Sequence, residues 1–247
     1  MPTSGSPAGK PLVPHVHTTL HSGMESIRLY VERGFRFYTS GVIEPGKAQR
    51  LCEKFDDKYG VLLSDYGIER LRKRGHARAR LVLIDGSLLY PGEHRFKNRI
   101  VWFLVATPGP GRVREEEQLQ DAKVPKHKPV IGDFVLRKRK DRSTRTWMLS
   151  NQAYKAYRDD AVHAVRMKDL KHARRLVGIM MKWPHFAGVR QQRKKIFELM
   201  RKSVRKGHNT DSDLGFIPSR QAYAGVAKKR DVVPLGRWLQ NVCSSNP

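Results

Sequence analysis

The sequence predicts an α+β protein, a mixed sheet-and-helix part followed by a basic helical part. Three observations carry this. "ARARLVLID" at 77–85 and "RIVWFLVAT" at 99–107 have the length and composition of strands, and the second is apolar on both faces, as a central strand is. The stretches at 44–63 and 64–75 repeat their apolar residues at helical spacing. From 151 to 206 the helical spacing continues with no strand signal between.

Taken in order, residues 1–11 read as a flexible arm of Pro, Gly and Ser without a hydrophobic signal-peptide core. Residues 15–21 of "PHVHTTLH" suit a strand. Residues 23–41 carry both periods: Ile27, Val31, Phe35 and Tyr38 have helical spacing, and Ile27, Leu29 and Val31 alternate as in a strand. A break is expected at Gly34. The helix at 44–63 places Ala48, Leu51, Cys52 and Phe55 on one face and stops at Gly60. A shorter helix runs from a Ser64 or Asp65 cap to Gly75. The strand at 77–85 puts Arg78 and Arg80 on the face of Val82 and Ile84, a face wet at one end and buried at the other. The Pro- and charge-rich stretch at 106–129 reads as a connection. "FVLRKRKDRSTRTWMLS" at 134–150 reads as a basic β-hairpin turning near Asp141. Helices follow, with Tyr154, Tyr157, Ala161 and Val165 on one face, a stripe through Leu176, Val177 and Met180 stopped at Pro184, and a third helix at 188–206. The resulting division is an arm at 1–11, an α+β domain with the hairpin at 12–150, a basic helical part at 151–207, and a C-terminal segment at 208–247 that packs back on the core. Trp102 and Trp183 are expected in the core, whereas Tyr30, Tyr38 and Trp147 suit either the core or stacking on bases.

Charge dominates the functional reading. Of 247 residues, 49 are Lys or Arg and 23 are Asp or Glu, a formal net charge of +26. Such a surplus repels itself unless a polyanion neutralises it, and nucleic acid is the natural partner because each phosphate contact releases condensed counterions. Three clusters stand out as candidate nucleic-acid contacts. The first is "ERLRKRGHARAR", with Arg72, Arg74, Arg78 and Arg80. The second is the hairpin, with Arg137, Arg139, Arg142 and Arg145. The third is the helix at 188–206, with Val189, Ile196, Leu199, Met200 and Val204 on its apolar side and Arg190, Arg193, Lys194, Lys195, Arg201, Lys202, Arg205 and Lys206 elsewhere. A helix of that kind lies along a phosphate backbone or in a major groove.

Other classes find no foothold. No apolar run reaches the 18 or more residues of a membrane span, so no membrane partner is expected. Cys52 and Cys243 are the only cysteines, which excludes zinc fingers and a disulfide framework and suits a reducing, cytoplasmic compartment. Gly-x-Gly-x-x-Gly, the phosphate loop, Gly-x-Ser-x-Gly and the zinc-deaminase signature are absent, and no cofactor is expected.

The three histidines of "HVHTTLH" invite chemistry. On a strand, His15, His17, Thr19 and His21 share one face. A His-x-His pair can hold a metal, but no third ligand or carboxylate cluster follows, so no metal site is assigned. RNA cleavage without metal asks less: the RNA supplies its 2′-hydroxyl, a His moves a proton and an Arg stabilises the charged transition state. His17, His21 and Arg36 are the candidates, with His15, Arg28 and Arg33 nearby and His76 amid Arg74, Arg78 and Arg80 as a second grouping. Exposed or merely hydrogen-bonding histidines are the plain alternative.

"HVHTTLHS", "RIVWFLVAT", "RKRKDRSTR" and the helix at 188–206 together resemble the repeat-processing endoribonucleases of CRISPR systems, of the plasmid-borne type IV kind. The resemblance spans about half the chain, without that family's clear glycine-rich loop near the C-terminus; Gly207, Gly215, Gly225 and Gly236 are scattered instead. It implies a ferredoxin-like or RRM-like sheet with a basic helical extension. It further implies binding of a repeat RNA hairpin, metal-free cleavage at its base, and retention of the product with other subunits in a ribonucleoprotein complex. RNA is favoured over DNA because a dimeric DNA reader wants an identifiable helix-turn-helix, which is not clear in this sequence. A ribosomal-type protein is disfavoured because the basic residues lie mostly within periodic segments and not in long basic tails. The rival readings are a non-catalytic DNA-binding accessory protein of a plasmid or conjugative element, and a structural protein of an RNA–protein particle.

Overall fold

A computed structural model of the chain describes residues 12–89, 99–139, 141–205, 215–218 and 231–244. The arm expected at 1–11 lies outside the described residues, as do 206–214 and 219–230. The chain is α+β. It opens with β1 (His15–His17), α1 (Leu20–Glu32), β2 (Phe37–Ile43), α2 (Pro45–Tyr59), α3 (Asp65–Lys73), β3 (Ala79–Asp85), β4 (Ile100–Ala106), α4 (Arg112–Glu116) and β5 (Gln120–Asp121). Next come β6 (Val130–Ile131), β7 (Phe134–Lys138), β8 (Arg145–Leu149), α5 (Asn151–Arg166), α6 (Leu170–Met181) and α7 (Ala187–Arg205). β9 (Val232–Pro234) and α8 (Leu235–Ser244) close it.

Two compact units form, residues 1–129 with 228–247, and residues 130–227. The division falls after 129 and not after 150: the basic hairpin belongs with the helices that follow it. The reason is local. Leu136, Trp147 and Leu149 are buried, and β8 packs on α7, so the hairpin's apolar residues are covered by their own downstream helices.

In the first unit a six-stranded sheet runs in the order β5-β2-β4-β3-β1-β9. The neighbours β5–β2, β2–β4 and β4–β3 are antiparallel. β1 joins β3 in parallel, and β9 adds to β1 in antiparallel sense. One face carries Leu83, Ile100, Leu104 and Ala106 under Ala48, Cys52 and Phe55 of α2 and Leu235 and Trp238 of α8. The other face carries Ile84 under α1, whose Met24, Ile27 and Val31 are buried at helical spacing. A Cβ on Gly23 would lie 2.6 Å from the Ile84 side chain, so only glycine lets α1 approach this closely.

Two expectations change here. The ambiguous stretch after residue 23 resolves into α1, a left-handed Gly34 (φ 95°) and then β2. The strand expected to reach residue 21 ends at His17. Thr19 takes extended backbone and its hydroxyl accepts from the Ser22 N–H, capping α1. Helical burial of Met24, Ile27 and Val31 outweighs continuing β1 through residues 18–21, so Thr19 and His21 leave the ridge assigned to them.

The second unit holds the sheet β6-β7-β8, antiparallel throughout, with α5, α6 and α7 beside it. Val189, Ile196, Phe197 and Met200 of α7 are buried, whereas Leu199, expected among them, is 37% exposed.

Gly23→Val should lower stability by about 1–3 kcal/mol, the usual cost of overpacking a filled core. A urea unfolding curve with a lowered midpoint and an unchanged slope is the expected result.

Candidate nucleic-acid interface

The β7–β8 register sets Arg137 opposite Thr146 and Val135 opposite Met148. Strand alternation therefore gathers Val135, Arg137, Thr146 and Met148 on one face. The start of α7 lies across that face. A Cβ on Gly188 would fall 2.5 Å from Met148 and 2.6 Å from the Trp147 carbonyl, so the helix seats its backbone directly on the strand. The Gly188 N–H donates to Thr146 Oγ1 at 3.0 Å. Gln192 then both accepts from the Leu149 N–H (2.7 Å) and donates to the Leu149 carbonyl (3.2 Å). With these bonds the first turns of α7 are locked to β8.

Between hairpin and helix a cleft of about 570 Å³ opens, lined by Arg137, Lys138 and Arg139 on one wall, Gln191 and Lys195 on the other, and Thr146, Met148 and Gly188 between. Asp141 is its one acid among the described residues. That carboxylate is taken by Arg139 through two hydrogen bonds, of 2.8 and 2.5 Å, and the guanidinium holds the Asp141 carboxyl down at about 2. Arg137, Lys138 and Lys195 form no ion pair with a carboxylate among the described residues. Arg137 Nε is buried with no hydrogen-bond partner, a donor that normal interiors satisfy. Three cations without a paired carboxylate in one concavity suit an anion with several acceptor oxygens, which a phosphodiester is.

The cations singled out in the sequence divide into three sets. Some have become structural. Arg80 is 6% exposed and donates to the carbonyls of Val61 and Leu63, with Asp65 3.3 Å away; the loop between α2 and α3 covers the strand end expected to be wet. Arg193 is fully buried and donates to the Met180 carbonyl at 3.1 Å. Arg201 donates to the carbonyls of Ile217 and Pro218. All three spend guanidinium N–H groups on backbone carbonyls of their own unit. A second set is exposed or half-exposed: Arg72 (paired with Glu69), Arg74, Arg142, Arg145, Arg190, Lys194 (3.9 Å from Glu198) and Lys202. Arg78 lies over the Phe35 ring. Only Arg137, Arg139 and Lys195 converge in the cleft; the Arg205 side chain lies outside the described residues. Lys138, Gln191 and Thr146 line the cleft without having been singled out, although "RKRK" held the signal for Lys138.

The proposed catalytic trio is not brought together. His17 is 8% exposed and its Nδ1 lies 2.7 Å from Ser22 Oγ. His21 sits in the first turn of α1, its pKa lowered by burial, which Arg28 reinforces and Glu25 opposes. Arg28 is itself paired with Glu25 and Glu32 at 2.6 Å each. Arg36 precedes β2. The registers His17–Ile84, Ile84–Val101 and Val101–Val42 put His17 level with Val42. Arg36 is therefore three strand spacings across and six residues along from His17, about 14 Å by 20 Å. His15 keeps the plain role, its Nδ1 at 2.6 Å from the Val13 carbonyl.

Comparison of the chain with protein-family models, with curated proteins and with solved structures found no match.

Arg193→Met should cost about 1–3 kcal/mol, because it removes the buried guanidinium bond to the Met180 carbonyl, whereas Lys195→Gln should leave stability unchanged; urea unfolding separates the two. His21 makes a pH prediction. Its folded pKa lies below its unfolded value, so the unfolded chain binds the proton first and stability falls as pH drops from about 6.5 through the folded pKa, by at most about 1.4 kcal/mol per pH unit. His21→Gln should flatten that stretch of the stability–pH curve.

Proposed function

We propose that this protein binds a structured RNA, a hairpin, by its phosphate backbone, with the cleft between the β7–β8 hairpin and the start of α7 as the principal contact. The observation that carries this is the convergence of Arg137, Lys138 and Lys195, none paired with a carboxylate among the described residues, in a cleft whose carboxylate Asp141 is already spent on Arg139. The +26 charge of the chain supplies the long-range attraction. RNA is favoured over DNA by the state of α7. With Arg193 and Arg201 bonded to carbonyls inside the unit, the helix lacks the continuous basic face that reading a DNA major groove requires.

The finer fold reading draws support from the strand order. The path β2, α2–α3, β3, β4, α4, β5 in sheet order β5-β2-β4-β3, antiparallel at each step, has the connectivity of a βαββαβ ferredoxin-like or RRM-like unit. In this chain α1 lies on one face of that sheet and α2 and α8 on the other. RNA stacking on an open sheet, the usual RRM mode, is thereby disfavoured and the cleft gains weight. The role in CRISPR repeat processing, with retention of the RNA in a ribonucleoprotein complex, rests on the sequence resemblance. Binding is the half of that role the cleft supports; with His17 and Arg36 far apart, cleavage by the trio is not part of the proposal.

The test is to extract and sequence the nucleic acid that copurifies with the protein, then to titrate that species against wild type and variants. A defined RNA hairpin is expected. Arg137→Gln with Lys195→Gln should weaken binding by about tenfold or more and flatten the log K against log salt slope by about 1.5, two phosphate contacts at 0.7–0.9 each. Bound duplex DNA, or an unchanged affinity and slope, would reject the proposal.

A further inference from the structure

The first unit carries a second cationic cluster, built on aromatic rings. Phe35 (5% exposed) and Phe37 (9% exposed) stand at the start of β2 with Arg36 between them. Phe37 pairs with Ala106, and Ala106 with Ala79, so Arg78 leaves β3 at the same end of the sheet. The Arg78 guanidinium carbon lies 5.1 Å from the Phe35 ring centroid. Those of Arg36 and Arg114 lie 4.8 Å and 3.4 Å from the Phe37 centroid. Arg114 is held there by α4, whose Val113 is buried in the same cluster as Phe37.

Three guanidiniums thus lie on two phenylalanine rings at one end of the sheet, Arg78 on Phe35 and both Arg36 and Arg114 on Phe37, with few carboxylates paired to them among the described residues. Among the described residues the carboxylate paired with any of them is Asp121, 3.4 Å from Arg36 Nε. Burial, reinforced by Arg72 and Arg80 and opposed by Glu69, pushes the Arg78 pKa below its usual range, the direction expected of a cation short of partners. A guanidinium stacked on a ring keeps its N–H edges free, and its plane is already fixed. Such a fork meets two phosphate oxygens at once and loses little entropy in doing so.

We infer that Arg78 and Arg114, laid on Phe35 and Phe37 with Arg36 beside them, form a second phosphate site that takes the sugar–phosphate backbone of RNA. The inference rests on the proposed RNA-binding function but not on the cleft that serves it. It assigns contact to Arg114, which no sequence cluster contained, and gives Arg36 an electrostatic role in place of the catalytic one.

The experiment titrates the copurified RNA against wild type, Arg78→Gln/Arg114→Gln and Arg137→Gln/Lys195→Gln at several salt concentrations. Wild-type protein is also labelled with an arginine-selective dicarbonyl, with and without RNA, and the modified sites are mapped by mass. The Arg78/Arg114 variant should lose about tenfold in affinity and about 1.5 in salt slope, and RNA should slow modification of Arg78 and Arg114 several-fold. The labelling arm uses wild-type protein, so it decides the matter even where the double variant unfolds. Unprotected Arg78 and Arg114, alongside an RNA complex that the Arg137/Lys195 variant weakens, would overturn this inference and leave the cleft standing. Protection without any effect of the cleft variant would do the reverse. Wild-type protein that binds no RNA would overturn both.

Discussion

With 49 basic residues against 23 acidic ones, most cations of this chain have no carboxylate to meet, and the fold must place them by other means. Backbone carbonyls take the buried ones. Arg80 closes on the loop between α2 and α3, Arg193 on the end of α6, and Arg201 on residues 217 and 218. Aromatic rings take the intermediate ones, with Phe35, Phe37 and Phe216 lying under Arg78, Arg36, Arg114 and Arg174. Each solution uses the same chemistry, a planar donor with a weakly hydrated face that tolerates partial burial where a Lys ammonium does not. Of the cations left without a carboxylate, Arg137, Lys138 and Lys195 collect where hairpin and α7 meet.

The two units differ in how they build their concave and charged surfaces. The six-stranded sheet is covered on both faces, so its functional potential lies at its strand ends, where Arg36 and Arg78 emerge at the same end with β4 between their strands. The three-stranded sheet is covered by a helix that starts on it, and the contact at Gly188 fixes the cleft because no side chain separates backbone from backbone. Rigid walls of this kind spare the ordering cost that flexible basic tails incur on binding an anion.

Local signals were legible where the chemistry is local. Gly60, in the left-handed conformation, ends α2, and Ser64 caps α3. Strands 79–85 and 100–106 lie where apolar alternation puts them, and 134–149 is a hairpin. The strand through residue 21 was misread because Thr19 serves an extended chain and an N-cap equally well, and only the docking of Met24, Ile27 and Val31 on the sheet chooses. The cations were legible as clusters more than as individuals. Helical spacing sets Arg193 in line with Val189, Ile196 and Met200 and apart from Lys195, but reading the helix by charge alone grouped the buried Arg193 with the Lys195 that lines the cleft.

By itself, then, the sequence determined the α+β class, the positions of most elements and the large excess of positive charge, because periodicity, turn chemistry and net charge are properties of the chain alone. Tertiary structure alone decided which cations are available, since burial of a guanidinium depends on carbonyls and rings that arrive from distant residues. It also took the histidines and Arg36 apart, for strand order is set by pairing across the whole sheet. The cleft exists only because a strand and a helix forty residues further along the chain pack backbone to backbone.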